Sequence, residues 1–244
     1  PTTVIYTRSL HDSLPIYPGC PFHINPRANI TLEIFNAFRK KGFRTGTYFS
    51  KPDWHSDEYW AQEWATPDRN VNYSISRYPE RWDRFREFTF RQVEELMTGY
   101  GNIDILWLDG GWVNPENRGQ DIGMPQIAAM ARKHQPGLIV VDRAVPGRYE
   151  NYRTPEQEIP EQPLAYPWET CMTMATSWSF VPGDTYKPAR TLIHNLVDIV
   201  CKGGNYLLNI GPSPEGTWSD TAYQRLNEIR SEEHTSELQS RQVI

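Results

Sequence analysis

The chain alternates between stretches with an apolar residue every three or four positions and short runs that are almost wholly apolar. Residues 30–41 (ITLEIFNAFRKK) place Ile34, Phe35 and Phe38 on one face of a predicted helix, and Gly42 stops it. Residues 43–50 (FRTGTYFS) then read as a strand. The unit recurs twice: a helix over 81–100 ending at Gly99 or Gly101 with a strand over 103–109 (IDILWLD), then a helix over 125–135 closed by Pro136-Gly137 with a strand over 138–142 (LIVVD). Beyond a long polar loop come a strand at 171–175, a helix over 189–202, a stop at Gly203-Gly204, a strand over 206–210 (YLLNI) and, over 221–229, the beginning of a last helix. Helices alternating with short apolar strands predict a parallel sheet covered by helices. No glycine fingerprint for a dinucleotide or a phosphate follows any of these strands, which counts against a nucleotide-binding sheet.

The two ends read differently. Residues 2–16 (TTVIYTRSLHDSLPI) hold a β-prone run and then no period, and residues 230–241 (RSEEHTSELQSR) are polar with no apolar face. Both resemble peptides translated from sequencing-adapter DNA. The domain reading is therefore a non-native segment over 1–17, an evolved domain over 18–229 and a non-native tail over 230–244. Neither end is expected to supply a strand, and a gap in the sheet is expected near residue 18.

Composition narrows the classes. Hydrophobic residues make up 38% of the chain, and no apolar run approaches a membrane span, so no membrane partner is expected. A net charge of −5 without a basic stripe gives a nucleic-acid partner no support. Cys20, Cys171 and Cys201 have no metal-ligand spacing and read as buried or free thiols, Cys201 as a core residue. Nine Trp and thirteen Tyr supply aromatic faces that suit sugar rings, and that also fill cores.

The chemistry-bearing residues gather at the C-terminal ends of the predicted strands: Trp54 and His55, Asp109 with Trp112, and Arg143. A (β/α)8 barrel builds its active site at that end. Because strand side chains alternate, Trp107 and Asp109 share one face while Leu106 and Leu108 share the other. By itself Asp109 reads first as the cap of a turn after the strand, and second as a catalytic carboxylate. Five strands are too few to close such a barrel, so the expected fold is α/β, an incomplete (β/α)8 TIM-type barrel lacking its N-terminal strands.

Seven segments in order resemble glycoside hydrolase family 29, the α-L-fucosidases. They are GTYFSKPDW at 46–54, DILWLDGGW at 104–112, VVDR at 140–143, TPEQ at 154–157, PWETC at 167–171, SWSF at 177–180 and GGNYLLNIGPSPEG at 203–216. The resemblance implies a retaining exo-acting glycoside hydrolase with a fucosylated glycan or oligosaccharide as substrate, no metal and no organic cofactor. It also suggests a secreted or periplasmic setting, and it leaves oligomeric state open. It implies Asp109 as nucleophile and Arg143 as a sugar-binding residue. Retention needs a second carboxyl that protonates the leaving oxygen and later activates water, typically about 5–5.5 Å from the first. Glu169 and Glu156 are the candidates; Glu169, between Trp168 and an apolar run, is favoured, and Glu156 lies in a polar stretch with Glu158 and Glu161. Trp107 is expected to flank the sugar, with Tyr48, Trp54, His55 and Trp178 as further substrate-binding candidates. The family's histidine pair on an early strand has no counterpart, since His23 stands alone in PFHINP. The chain as written is therefore expected not to turn over. Two rival readings remain: a non-catalytic sugar-binding relative, and a metal-dependent barrel hydrolase, for which the scattered histidines supply no ligand cluster.

Overall fold

A computed structural model describes residues 4–7, 29–143, 145 and 147–241, with side chains for 29–143, 145 and 147–231. Cys20 and His23 lie outside the described residues. The chain divides into two compact units, Pro1–Asn151 and Tyr152–Ile244.

The first unit carries a parallel sheet of four strands in sequence order: β1 (Val4–Thr7), β2 (Arg44–Ser50), β3 (Ile105–Asp109) and β4 (Ile139–Asp142). Helices α1 (Ile30–Arg39), α2 (Pro79–Gly99) and α3 (Met124–His134) connect them. Asn29 caps α1 by accepting from the Leu32 N–H at 3.0 Å. Pro79 opens α2, where its fixed φ and missing N–H cost nothing. One face of the sheet packs on these helices: Phe49, Leu106, Leu108 and Val140 join Phe35, Trp82, Phe85, Val93, Leu96 and Ile127 in one core. Each such fully buried side chain contributes about 1.5–3 kcal/mol. Strand register places Tyr48 beside Trp107 and Ser50 beside Asp109, so these four belong to the opposite face.

Strand β1 corrects an expectation. Val4–Thr7 pairs with Arg44–Thr47 inside the segment read as supplying no strand. Val, Ile, Tyr and Thr are strong strand formers, and main-chain pairing along an open edge requires no alternating apolar pattern.

The second unit holds two parallel strands, β5 (Glu169–Thr173) and β6 (Asn205–Asn209), with α4 (Ala189–Cys201) between them and α5 (Asp220–Arg241) following. The described residues thus contain six strands, five of them within the expected 18–229. Gly204 admits Trp168: a Cβ there would stand 2.3 Å from its Cζ2. That close approach buries Trp168 with Met172 and Ile199. The last helix, whose start the sequence places over 221–229, continues as α5 to Arg241, with no Gly or Pro to interrupt the polar stretch. One further reading is corrected: Cys201, expected in the core, is exposed, since α4 turns Leu192 and Ile199 inward instead.

Candidate active site

Asp109 ends β3 on the sheet face turned away from the helices, where Gly110 and Gly111 break the strand. Gly110 has φ +88°, and a Cβ on it would stand 2.5 Å from Pro52 Cδ. Only glycine lets the loop after β2 come that close behind the carboxylate. Two neighbouring strands then fix both carboxylate oxygens. Arg143, just past β4, donates from Nη1 to Oδ1 at 2.8 Å. The Tyr48 hydroxyl, from β2, donates to Oδ2. Burial first, and then the negative charge of Asp109, raise the Tyr48 hydroxyl above its ordinary range, so it stays protonated and remains a donor.

Trp107 forms the wall of this group. Its ring stacks on Tyr48 with centroids 5.3 Å apart and planes 25° apart, and the Arg143 guanidinium lies 5.5 Å from its centroid. Tyr48, Trp107, Asp109 and Arg143 therefore form one connected group at the C-terminal ends of β2, β3 and β4. Asp109 keeps a fifth of its side chain accessible, at 21%. A carboxylate anchored at both oxygens beside an aromatic wall can attack an electrophilic carbon without reorganising.

On the opposite face, behind this group, Lys51 donates to Asp142 Oδ1 at 2.6 Å. Their side chains are 1% and 8% exposed. Burial raises the Asp142 carboxyl above its ordinary range although Lys51 opposes the shift, so desolvation outweighs the attraction. The pair ties the end of β2 to the end of β4.

A family profile described as alpha-L-fucosidase matches residues 20–231. The chain belongs to the α-L-fucosidase family. Among relatives, an α-L-fucosidase of Dictyostelium discoideum is 26% identical over 211 residues, covering 84% of this chain and 43% of the relative. A plasma α-L-fucosidase of Homo sapiens is 25% identical over 215 residues, covering 84% and 43%. Isoenzyme 1 of Paenibacillus thiaminolyticus superposes with a TM-score of 0.66 at 28% identity, over 82% of this chain and 51% of that one. The fold of a Lactobacillus casei α-L-fucosidase, solved with α-L-fucose product, matches with a TM-score of 0.71 at 23% identity, over 97% and 75%. The chain spans less than half the length of the curated relatives just named.

The remaining fucosidase-type candidates divide by unit. In the first, Trp54 and His55 sit in the loop after β2, both exposed. Trp54 stacks on Trp112 and donates from Nε1 to the Arg69 carbonyl at 3.1 Å. The His55 backbone N–H donates to Asp53 Oδ1 at 2.9 Å. In the second unit, Glu169 opens β5 and accepts from the Tyr152 hydroxyl at 3.3 Å. Burial pushes its carboxyl up from 4.5 to about 7, against a smaller lowering by Tyr152. Glu156 is exposed, its backbone bridged to Cys171. Trp178 is partly buried, and its carbonyl accepts from Asn209 Nδ2 at 2.9 Å.

Sequence reasoning missed Lys51, Asp142 and Tyr152. The first two left a signal. Lys51 follows Phe49 and Asp142 follows Val140 by two residues, so strand alternation aims both charges into the apolar face. A lysine and an aspartate so placed need each other. Tyr152 left none, because the Tyr152–Glu169 contact comes from the isolated bridge joining Arg153 to Trp168.

Proposed function

We propose that this chain carries the catalytic carboxylates of a retaining exo-α-L-fucosidase, hydrolysing terminal α-L-fucosyl residues of glycans. The observation that carries the reading is the anchoring of Asp109 by Arg143 and Tyr48 beside Trp107, in a chain of this family. Asp109 attacks the anomeric carbon as the glycosidic bond breaks, and a glycosyl ester forms on its side chain. The electron pair of the broken bond goes to the leaving oxygen, which takes a proton from Glu169. Glu169 then removes a proton from water, which attacks the same carbon and frees Asp109, so configuration is retained. A carboxyl lifted to about 7 starts this cycle protonated near neutrality, which favours Glu169 over the exposed Glu156. Arg143 and Tyr48 hold the nucleophile, Trp107 flanks the sugar, and Trp178 and His55 are proposed as further sugar contacts. The parallel strands are read as part of a (β/α)8 barrel. The Lactobacillus casei enzyme has been solved with 4-nitrophenyl-α-L-fucopyranoside, and a bacterial fucosidase with an iminocyclitol inhibitor; the same substrate class is proposed here.

Ligand binding tests the sugar assignment without turnover. An L-fuco-configured iminosugar, cationic at the ring, should bind the chain in calorimetry, with its D-gluco counterpart far weaker. Asp109→Asn removes the charge facing the ring nitrogen and should weaken binding about 10- to 100-fold, the scale of a charge-assisted hydrogen bond. Equal binding of both iminosugars, or no effect of Asp109→Asn, would refute the fucose reading.

A further inference from the structure

Two loops leave the sheet at the same end as Asp109, residues 51–78 after β2 and 110–123 after β3. They are tied together beneath the surface by Gln120, which is fully buried. Its Nε2 donates to Asn70 Oδ1 at 2.9 Å, to the Asn117 carbonyl at 3.1 Å and to the Trp112 carbonyl at 3.2 Å. Its Oε1 accepts from the Tyr59 hydroxyl at 3.2 Å and the Val71 N–H at 3.3 Å. The Trp112 carbonyl also accepts from Asn117 Nδ2 at 2.6 Å. Every polar atom of the Gln120 amide is thus engaged, and the Asn70 side chain and the Val71 backbone are tied through it to the backbones of Trp112 and Asn117.

Above this knot stands an aromatic stack. The Arg69 guanidinium lies 4.2 Å from the Trp112 ring centroid. Trp54 stacks on Trp112 with centroids 6.2 Å apart and planes 16° apart, and Trp60 meets Trp54 edge to face at 6.0 Å. Trp54 is nevertheless 48% exposed. A large indole left half in water on two loops tied by a buried amide is a prepared binding face, because the knot has already met the entropy of ordering it.

Its position identifies the occupant. Trp112 follows Asp109 by three residues, and Trp54 follows Lys51 by three, where the Lys51 N–H bonds the Asp109 carbonyl at 3.0 Å. Three residues reach at most about 11 Å even when extended. The Trp54 backbone therefore stands no more than about 11 Å from the Lys51 backbone that bonds Asp109, a reach that a two-ring sugar spans. We infer that Trp54, backed by Trp112 and Arg69, is the subsite for the leaving group. It takes a pyranose that lays its apolar C–H face on the indole. The inference rests on the fucosidase reading, and it adds the specificity-determining contact for the second ring.

Saturation-transfer NMR on the full chain tests it with two probes, methyl α-L-fucoside and an α-L-fucosyl disaccharide whose second ring is gluco-configured. With the unaltered chain, protons of both rings of the disaccharide should receive saturation. Trp54→Ala should lower disaccharide affinity about tenfold, one good stacking contact, and erase second-ring saturation while sparing the fucose ring. Trp54→Phe, which keeps a flat face, should restore most of it. Methyl fucoside binding should be unchanged throughout. Fucose-ring saturation with a silent second ring, or a second ring indifferent to Trp54→Ala, overturns the subsite and leaves the fucosidase reading standing. Silence from both rings and from methyl fucoside overturns both.

Discussion

Lys51→Met is expected to destabilise the first unit by about 3–5 kcal/mol, the usual cost of leaving a buried carboxylate without its partner. A typical domain has only about 5–15 kcal/mol in total, so losing this one ammonium should bring the unit close to unfolding. The cost arises because Asp142 stays on the helix-packed face with no cation beside it. Removing both charges has a different outcome. Lys51→Met with Asp142→Leu should recover most of the loss, since the pair is dearly desolvated and gains little net energy. Urea denaturation of both variants checks this, and equal losses in the single and double variants would show that the residues matter for packing alone.

Glu169 predicts a pH dependence whose sign is fixed. Its folded carboxyl titrates at about 7, against 4.5 ordinarily. Below 4.5 the folded and unfolded forms are both protonated and the group costs nothing. As pH rises from 4.5 to 7 the unfolded chain gives up a proton that the folded unit retains, so stability falls. The total loss is about 3 kcal/mol, since each tenfold difference in proton affinity between the folded and unfolded forms is worth about 1.4 kcal/mol. Glu169→Gln should flatten this slope, whereas Glu156→Gln, altering an exposed side chain, should leave it. Denaturation midpoints between pH 4.5 and 7.5 decide the matter. A slope carried by Glu156 would transfer the acid/base role to that residue.

Much of this fold is legible in the sequence because strands and helices mark themselves by period. Counting alternate residues assigns Trp107 and Asp109 to one face, and Leu106 and Leu108, on the other, lie in the core. The strand expected at 171–175 begins two residues earlier, because Glu169 and Thr170 are polar and a buried acid interrupts an apolar run. β1 escapes the pattern because Val4–Thr7 is too short to show a period. The site is only half legible. Motif order points to Asp109 and Arg143, whereas the Tyr48–Asp109 contact depends on strand register, which no single strand reveals. The Trp54–Trp112 stack depends on Gln120, an unremarkable residue in a loop whose importance lies wholly in being buried.

The central claim is that Asp109 is the nucleophile, and covalent trapping tests it most directly. A 2-deoxy-2-fluoro-α-L-fucosyl fluoride loses fluoride without a proton, so the first step needs only the nucleophile and its cradle. The ring fluorine slows both steps, and the activated leaving group lets the glycosyl ester accumulate even where turnover is absent. Intact-mass measurement and peptide mapping of the treated chain should find one fucosyl adduct, on Asp109 within LWLDGGW, and none in Asp109→Asn. An adduct on another residue, or an unlabelled chain that still binds the L-fuco iminosugar, would contradict the account and leave a sugar-binding relative without the chemistry.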